Sequence, residues 1–353
     1  MNDIVKTFSI DFSKTNDMKK NCFAIIFLFG ITFCACRKSN STPAGPQTNV
    51  YVAGYESNGT HNVAKYWKNG VAVNLTNGSN DAFASSIVVS GNDVYVAGYE
   101  FNGTYNVAKY WKNGTPIILT TGSLNYLDNY ATSIAISGND VYVAGYGLDS
   151  SLQETVPKYW KNGKVFFLDD GGGGYAYSIA ASGNDIYISG VDSNGNAAYW
   201  KNNTPVELAD DESEGRSIAV SGNDVYVAGI IFYGQNGRTA TVWKNGVASY
   251  LIDRTYETFA NSIAVSGNDV YVGGYEFSNN GNAVYWKNDT IAHVGLLDLY
   301  ILSITVNGAD VYAAGDGYTG SKGYARYWKN GTPVNLSDGT QNAVANSIFI
   351  TNQ

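Results

Sequence analysis

The chain has 353 residues, 44% of them hydrophobic and 15% charged, with a formal net charge of −8. That length fits two ordinary domains or one large repeat fold. Residues 1–35 hold four lysines and three aspartates, so the acidity belongs to the remainder, and an acidic surface repels phosphate backbones, which argues against nucleic acid as a partner.

The first element in chain order is a targeting segment. Met18-Lys19-Lys20 precedes an apolar run from Cys22 to Phe33 that ends at Cys34-Ala35-Cys36. A basic start, about a dozen apolar residues and a small residue before the cut make a secretory signal. The run is short for a bilayer span. Residues 1–17 are polar, so Met18 is a second candidate start. Ala35-Cys36 resembles a bacterial lipoprotein processing site, which implies cleavage before Cys36 and lipid on its thiol. An ordinary secretory signal without lipid is the alternative. All three cysteines lie here, so no disulfide supports the rest. The expected division is a signal segment over 1–35, a lipidated Cys36 with a flexible polar tether over 36–49, and a folded domain over 50–353.

From Val50 onward one unit recurs seven times. It reads SIxxSGND-VYVAGY, a variable stretch, AKYWKNG, TPVxL and another variable stretch. The seven tryptophans hold one slot: Trp67, Trp111, Trp160, Trp200, Trp243, Trp286 and Trp328. A self-similar period of roughly 40–47 residues built of strand-like pieces predicts a β-propeller. Ser-Ile-Ala-Val-Ser reads as a first strand and Ser-Gly-Asn-Asp as a tight turn. Val-Tyr-Val-Ala-Gly-Tyr is the second strand, Ala-Lys-Tyr-Trp the third, and Asn-Gly a hairpin signal. Pro116, Pro205 and Pro333 open the fourth strand. Proline cannot donate to a ladder, so that strand is outermost and Ser-Ile-Ala-Val-Ser lines the channel. The domain starts with a second strand and finishes with a first strand at Ser347–Thr351. The expectation is therefore an all-β, seven-bladed propeller of four antiparallel strands per blade, its ring closed by the C-terminal strand joining the N-terminal three. The tryptophans are expected between neighbouring blades, and Phe349 departs from the small residues of the other inner strands.

SIAVSGNDVYVAGY resembles the bacterial secreted β-propeller repeat called SBBP. AxYWKNGxxxxL is similar to the HAF-type extracellular repeat, with its Trp, Gly turn and leucine. The resemblance covers residues 50–353 and implies a secreted or envelope propeller. It supplies no catalytic residues.

Ser-Gly-Asn-Asp and Lys-Asn-Gly are short and nearly constant, whereas the other two connections vary. In an up-and-down blade both variable classes emerge on one face, and a rigid frame with variable loops makes a binding surface. The loops into the inner strands carry the ligand-binding candidates Phe83, Tyr126, Asp128, Tyr130, Tyr177, Arg216, Tyr256, Glu257 and Tyr300, with Tyr175, Phe259 and Asp298 beside them. Glu56, Tyr105, Asp149, Phe232, Tyr233, Phe277 and Tyr318 lie further out. Aromatic rings with acids and amides suit sugar rings or cationic peptides. Loop aromatics packing on each other are the bland alternative.

Other chemistries find little support. The aspartates Asp93, Asp140, Asp185, Asp224, Asp269 and Asp310 read as turn-stabilising, and the seventh copy ends at Asn352-Gln353, before an equivalent Asp. Asp169-Asp170 and Asp210–Glu214 read as acidic loops without a calcium motif. His61 and His293 occupy unrelated parts of their repeats, and no cysteine accompanies them, so a zinc or copper site is not expected. No G-x-S-x-G surrounds a serine. An arginine cluster of the sialidase kind would draw on Arg216, Arg238, Arg254 and Arg326. No cofactor is implied. The expected function is a non-catalytic envelope propeller that binds a glycan or peptide, with the lipid as its membrane contact. The alternatives are a glycan-active hydrolase or lyase using carboxylates such as Asp128, Asp169, Asp210, Glu257 and Asp298, and a platform for an envelope protein partner.

Overall fold

The computed structural model describes residues 47–119, 126–168, 173–232, 237–251, 256–277, 281–294, 299–319 and 322–352. The signal segment, Cys36 and most of the tether lie outside the described residues. The described chain belongs to one compact unit, Pro46–Gln353. It is all β, with antiparallel strand pairs and, among the described residues, no helix.

One blade shows how the repeat folds. Ala82–Ser90, Asp93–Phe101, Asn106–Lys112 and Thr115–Ile118 lie side by side in chain order. Gly91 has φ 59° and opens a two-residue turn of the II′ kind, whose twist matches the flanking strands. Asn113 and Gly114 have φ 51° and 82°, the two positive values that a I′ turn needs. Asp93 ties these turns together. Its Oδ2 lies 2.8 Å from Lys112 Nζ, its Oδ1 accepts from Asn113 Nδ2 at 2.7 Å, and Asn113 Oδ1 accepts from the Val94 N–H at 2.9 Å. Hydrogen bonds from Lys112 and Asn113 hold the Asp93 carboxyl below the usual range. Asp140, Asp185, Asp224, Asp269 and Asp310 repeat the pattern. The place without an aspartate is filled from the other end of the chain. Asn49 stands there, and its Oδ1 accepts from Asn69 Nδ2 at 2.8 Å.

Closure is visible in the pairing. Thr48–Ser57 lies between Ala343–Asn352 on one side and Asn62–Lys68 on the other. The Ser-Ile dipeptides add a second closure. Each serine hydroxyl accepts from the isoleucine N–H of the next inner strand, at 3.1–3.4 Å. The sequence runs from Ser347 to Ile87, Ser86 to Ile134, Ser133 to Ile179, Ser178 to Ile218, Ser217 to Ile263, Ser262 to Ile304 and Ser303 back to Ile348. Seven inner strands are thus joined in a cycle. The blades are numbered from the one carrying Trp67 to the one carrying Trp328.

Six sheets make up the seven blades. Thr204–Ser221 is one strand of 18 residues that leaves the outer position of blade 4 and enters the inner position of blade 5. Asp210–Glu214, read as an acidic loop, is therefore part of a strand. Tyr126–Ser137 and Glu257–Ser266 likewise draw in residues expected in loops.

The tryptophans are 0–2% exposed and lie between blades. Trp111 of blade 2 packs with Ala53 and Leu75 of blade 1, and each of the other six joins its blade to the preceding one. Removing such a ring costs about 3–5 kcal/mol. Phe349 packs, partly buried, against the contact between blades 1 and 2. Pro116, Pro205 and Pro333 pair with Trp111, Trp200 and Trp328 from the outermost strands.

Candidate functional site

The face opposite the Lys-Asn turns is shaped by seven bulges. In every inner strand the residue before Ser-Ile is unpaired: Ser85, Thr132, Tyr177, Arg216, Asn261, Leu302 and Asn346. A bulge bends its strand and re-aims the local side chains. The second strand accommodates it with glycine. A Cβ on Gly98 would sit 2.0 Å from the Phe83 carbonyl oxygen, closer than any side chain tolerates.

The bulges bring two sets of rings together: Phe83, Tyr130, Tyr175, Phe259 and Tyr300, three residues before a serine, and Tyr55, Tyr99, Tyr146 and Tyr275, just after a glycine. The first arc runs Tyr55, Phe83, Tyr99, Tyr130, Tyr146, Tyr175 and Tyr177, with successive centroids 4.8–5.7 Å apart. Edge-on and stacked contacts alternate along most of it, as the ring quadrupoles favour. A second arc runs Phe259, Tyr275, Tyr300 and Tyr318 at 4.3–6.2 Å. Most of these rings are half-buried, so they present edges and part of their faces to solvent.

Charge interrupts this aromatic crown in two places. Between Tyr177 and Tyr275, blade 5 supplies Glu214 and Arg216. Arg216 Nε donates to Glu214 Oε2 at 2.7 Å, and Nη1 donates to Asn261 Oδ1 at 2.7 Å. Tyr177, Glu214 and Arg216 line an open basin of about 420 Å³. Burial and the Glu214 charge raise the Tyr177 hydroxyl well above its ordinary range, with Arg216 opposing. The second interruption is Asp316, 6% exposed. Burial pushes its carboxyl up to about 6, with a hydrogen bond to Tyr318 opposing. Burial also pushes Tyr146 up to about 12. These phenols stay protonated at neutral pH and can donate.

Of the residues singled out in the sequence, Phe83, Tyr130, Tyr177, Arg216 and Tyr300 meet in the crown. Asp128 faces its neighbour: its Oδ1 accepts from the Asn106 N–H at 2.7 Å and from Asn106 Nδ2 at 2.9 Å. It thereby fixes the start of a third strand, as Asp81 does for Asn62. Glu257 lies 3.8 Å from Arg238, whose guanidinium covers the rings of Phe232 and Phe259. Tyr256 is exposed. Tyr126 begins its strand, its side chain lying outside the described residues, as do Asp169, Asp170, Tyr233, Arg254 and Asp298. Among the described residues no group of three or more His, Cys, Asp or Glu side chains could hold a metal ion.

In the sequence Tyr55, Tyr99, Tyr146 and Tyr275 read as ordinary strand residues and Glu214 as part of an acidic loop. The available signal was the Gly-Tyr pair closing four of the seven second strands.

No protein family matches the chain, and no curated protein matches it. Among solved structures it is similar to the Pyrococcus horikoshii acylaminoacyl peptidase, with a TM-score of 0.51, 13% identity and 84% of this chain covered. It spans about half of that protein, 52% of its length. A likeness at that identity concerns the fold alone, a β-propeller.

Proposed function

We propose that the chain is a non-catalytic binding propeller, held at the bacterial envelope through lipid on Cys36, that takes a glycan or peptide on its crown. The observation that carries this reading is the charged break in the aromatic arcs. Half-buried rings offer flat apolar contact on either side of Glu214 and Arg216. Pyranose faces and peptide side chains stack on such rings, and the guanidinium and carboxylate add charge-assisted hydrogen bonds that set orientation. The test is a glycan and peptide array probed with the full chain, followed by titration of any hit. Arg216→Ala is expected to weaken the ligand at least tenfold, a loss of about 1.4 kcal/mol, with the melting temperature little changed. Hits that Arg216→Ala and Tyr177→Ala leave untouched would place the ligand elsewhere.

Asp316 supports a second reading, glycan hydrolysis or elimination. A buried carboxyl with a pKa of about 6 suits a general acid near neutral pH. Turnover of a bound glycan that Asp316→Asn abolishes, with binding retained, would establish that activity. Retained turnover would remove Asp316 from it.

A further inference from the structure

The residue before each tryptophan is a tyrosine in six blades: Tyr66, Tyr110, Tyr159, Tyr199, Tyr285 and Tyr327. In blade 5 it is Val242. Each of these residues packs in the contact between its own blade and the next, in the cluster that holds the next blade's tryptophan. The cross-strand partner differs as well. Tyr110 faces Ile117, Tyr159 faces Phe166 and Tyr199 faces Val206, whereas Val242 faces Ser249. Tyr66 and Tyr327 face valines and Tyr285 faces Ala292, so the contact between blades 5 and 6 has lost a phenol ring and, opposite it, an apolar side chain.

A cavity of about 200 Å³ occupies that place. Val242, Leu251, Val272 and Trp286 are its buried apolar lining, and Lys244 and Ser249 lie at its exposed rim. Its mouth is polar, with Asn288 and Asp289 beside Lys244 and Ser249, and its volume exceeds the roughly 150 Å³ in which an enclosed apolar cavity holds a benzene ring. The other blades show how a ring sits here. Burial raises the Tyr110 hydroxyl's pKa, and the Tyr95 hydroxyl and Lys112 ammonium act on it in opposite senses. Tyr159 stands in the same relation to Tyr142 and Lys161, and Tyr327 to Tyr312 and Lys329. The blade 5 equivalents are Tyr226 and Lys244, and both line the cavity.

We infer that the cleft between blades 5 and 6 is a binding site for a para-substituted phenol, whose ring replaces the missing tyrosine and whose hydroxyl lies beside Tyr226 and Lys244. The site is near the Lys-Asn turns, away from the crown, and does not depend on the function proposed for the crown. A small free phenol and a tyrosine side chain share this chemistry.

The experiment titrates the full chain with p-cresol by calorimetry and by thermal melting. One saturable site is expected, with a melting temperature that rises with ligand concentration. Val242→Tyr fills the cleft from within, and is expected to raise the melting temperature without ligand and to weaken p-cresol at least tenfold. Undiminished affinity in Val242→Tyr, or no binding to the unaltered chain, overturns the inference. A second variant guards against misfolding of the first. Tyr110→Val with Ile117→Ser opens the same cleft between blades 2 and 3 and is expected to raise the stoichiometry from one to two. A stoichiometry that stays at one also overturns it. N-acetyltyrosinamide separates the sources: its binding supports a tyrosine side chain as occupant, and its exclusion with p-cresol still bound supports a free phenol.

Discussion

The ring of serine hydroxyls makes a quantitative prediction about closure. Ser347→Ala removes the acceptor for the Ile87 N–H, now at 3.3 Å, and Ser133→Ala removes the one for Ile179, at 3.2 Å. Both bonds are neutral and partly buried, so each contributes about 0.5–1.5 kcal/mol net. In a closed ring the joint between the last strand and blade 2 is equivalent to every other joint. Ser347→Ala and Ser133→Ala should therefore lower the denaturant midpoint equally, at unchanged slope. Successive joints meet at one Ser-Ile dipeptide, so they couple, and the simple sum sets the scale of their combined loss. Alanine at all seven serines should then cost roughly 4–10 kcal/mol, comparable with the whole stability of an ordinary domain. The assay is equilibrium urea unfolding followed by tryptophan fluorescence. A measurable loss for Ser133→Ala with none for Ser347→Ala would refute closure through the serine ring. A sevenfold variant no weaker than a single one would refute the energetic role of these bonds.

Two further outcomes follow from backbone and charge. Gly98→Ala forces a Cβ to within 2.0 Å of a backbone oxygen and should cost about 2 kcal/mol or more. Gly91→Ala meets nothing and should cost about 1 kcal/mol, for its left-handed φ alone; urea unfolding showing the reverse order would contradict the bulge. Lys158 is fully buried, and burial lowers its pKa to about 7, with the Asp149 charge opposing. Its folded pKa lies below the unfolded value near 10.4, so the stability linked to it is complete above that value and is lost as pH falls towards 7. Relative to Lys158→Met, the unaltered protein should gain about 1.4 kcal/mol per pH unit between 7 and 10. Parallel stability curves for the two would exclude a neutral Lys158.

The strands were legible because their chemistry repeats. Seven copies of an apolar second strand, with a Gly-Asn turn in five and an Asn-Gly turn in five, leave little freedom in where hairpins fall. The unpaired first and last strands likewise called for one another. The crown was less legible, because its geometry depends on a bulge. One extra residue decides which way Tyr99 and Phe83 point, and the glycine that permits it reads in the sequence as an ordinary strand glycine. Asp128 shows the opposite failure. It stands among loop aromatics in the sequence, yet its carboxylate is engaged by the backbone of the preceding blade. Thr204–Ser221 escaped because a strand crossing between two blades looks, residue by residue, like two strands and a polar loop.

Sevenfold repetition also says where to look for recognition. A residue present in every blade answers to something every blade must do: accept from the next inner strand, fill the space between blades, or join two turns. Ser-Ile and tryptophan are of this kind, as is the Asp-Lys-Asn cluster of six blades, which Asn49 replaces in blade 1, so their recurrence does not point to a ligand. Departures from the pattern carry the information, because the ring would close without them and each gives up packing or places charge among rings. Blade 5 concentrates them. Glu214 stands where blades 2, 3, 4, 6 and 7 place Phe83, Tyr130, Tyr175, Phe259 and Tyr300, and Arg216 fills the bulge beside it. On the same blade Val242 and Ser249 line a cavity where blades 2, 3 and 4 place a tyrosine opposite Ile117, Phe166 and Val206. Local rules broken without local compensation mark functional positions more often than accidents. By that argument blade 5 is the blade most shaped by what the protein binds, at both of its ends.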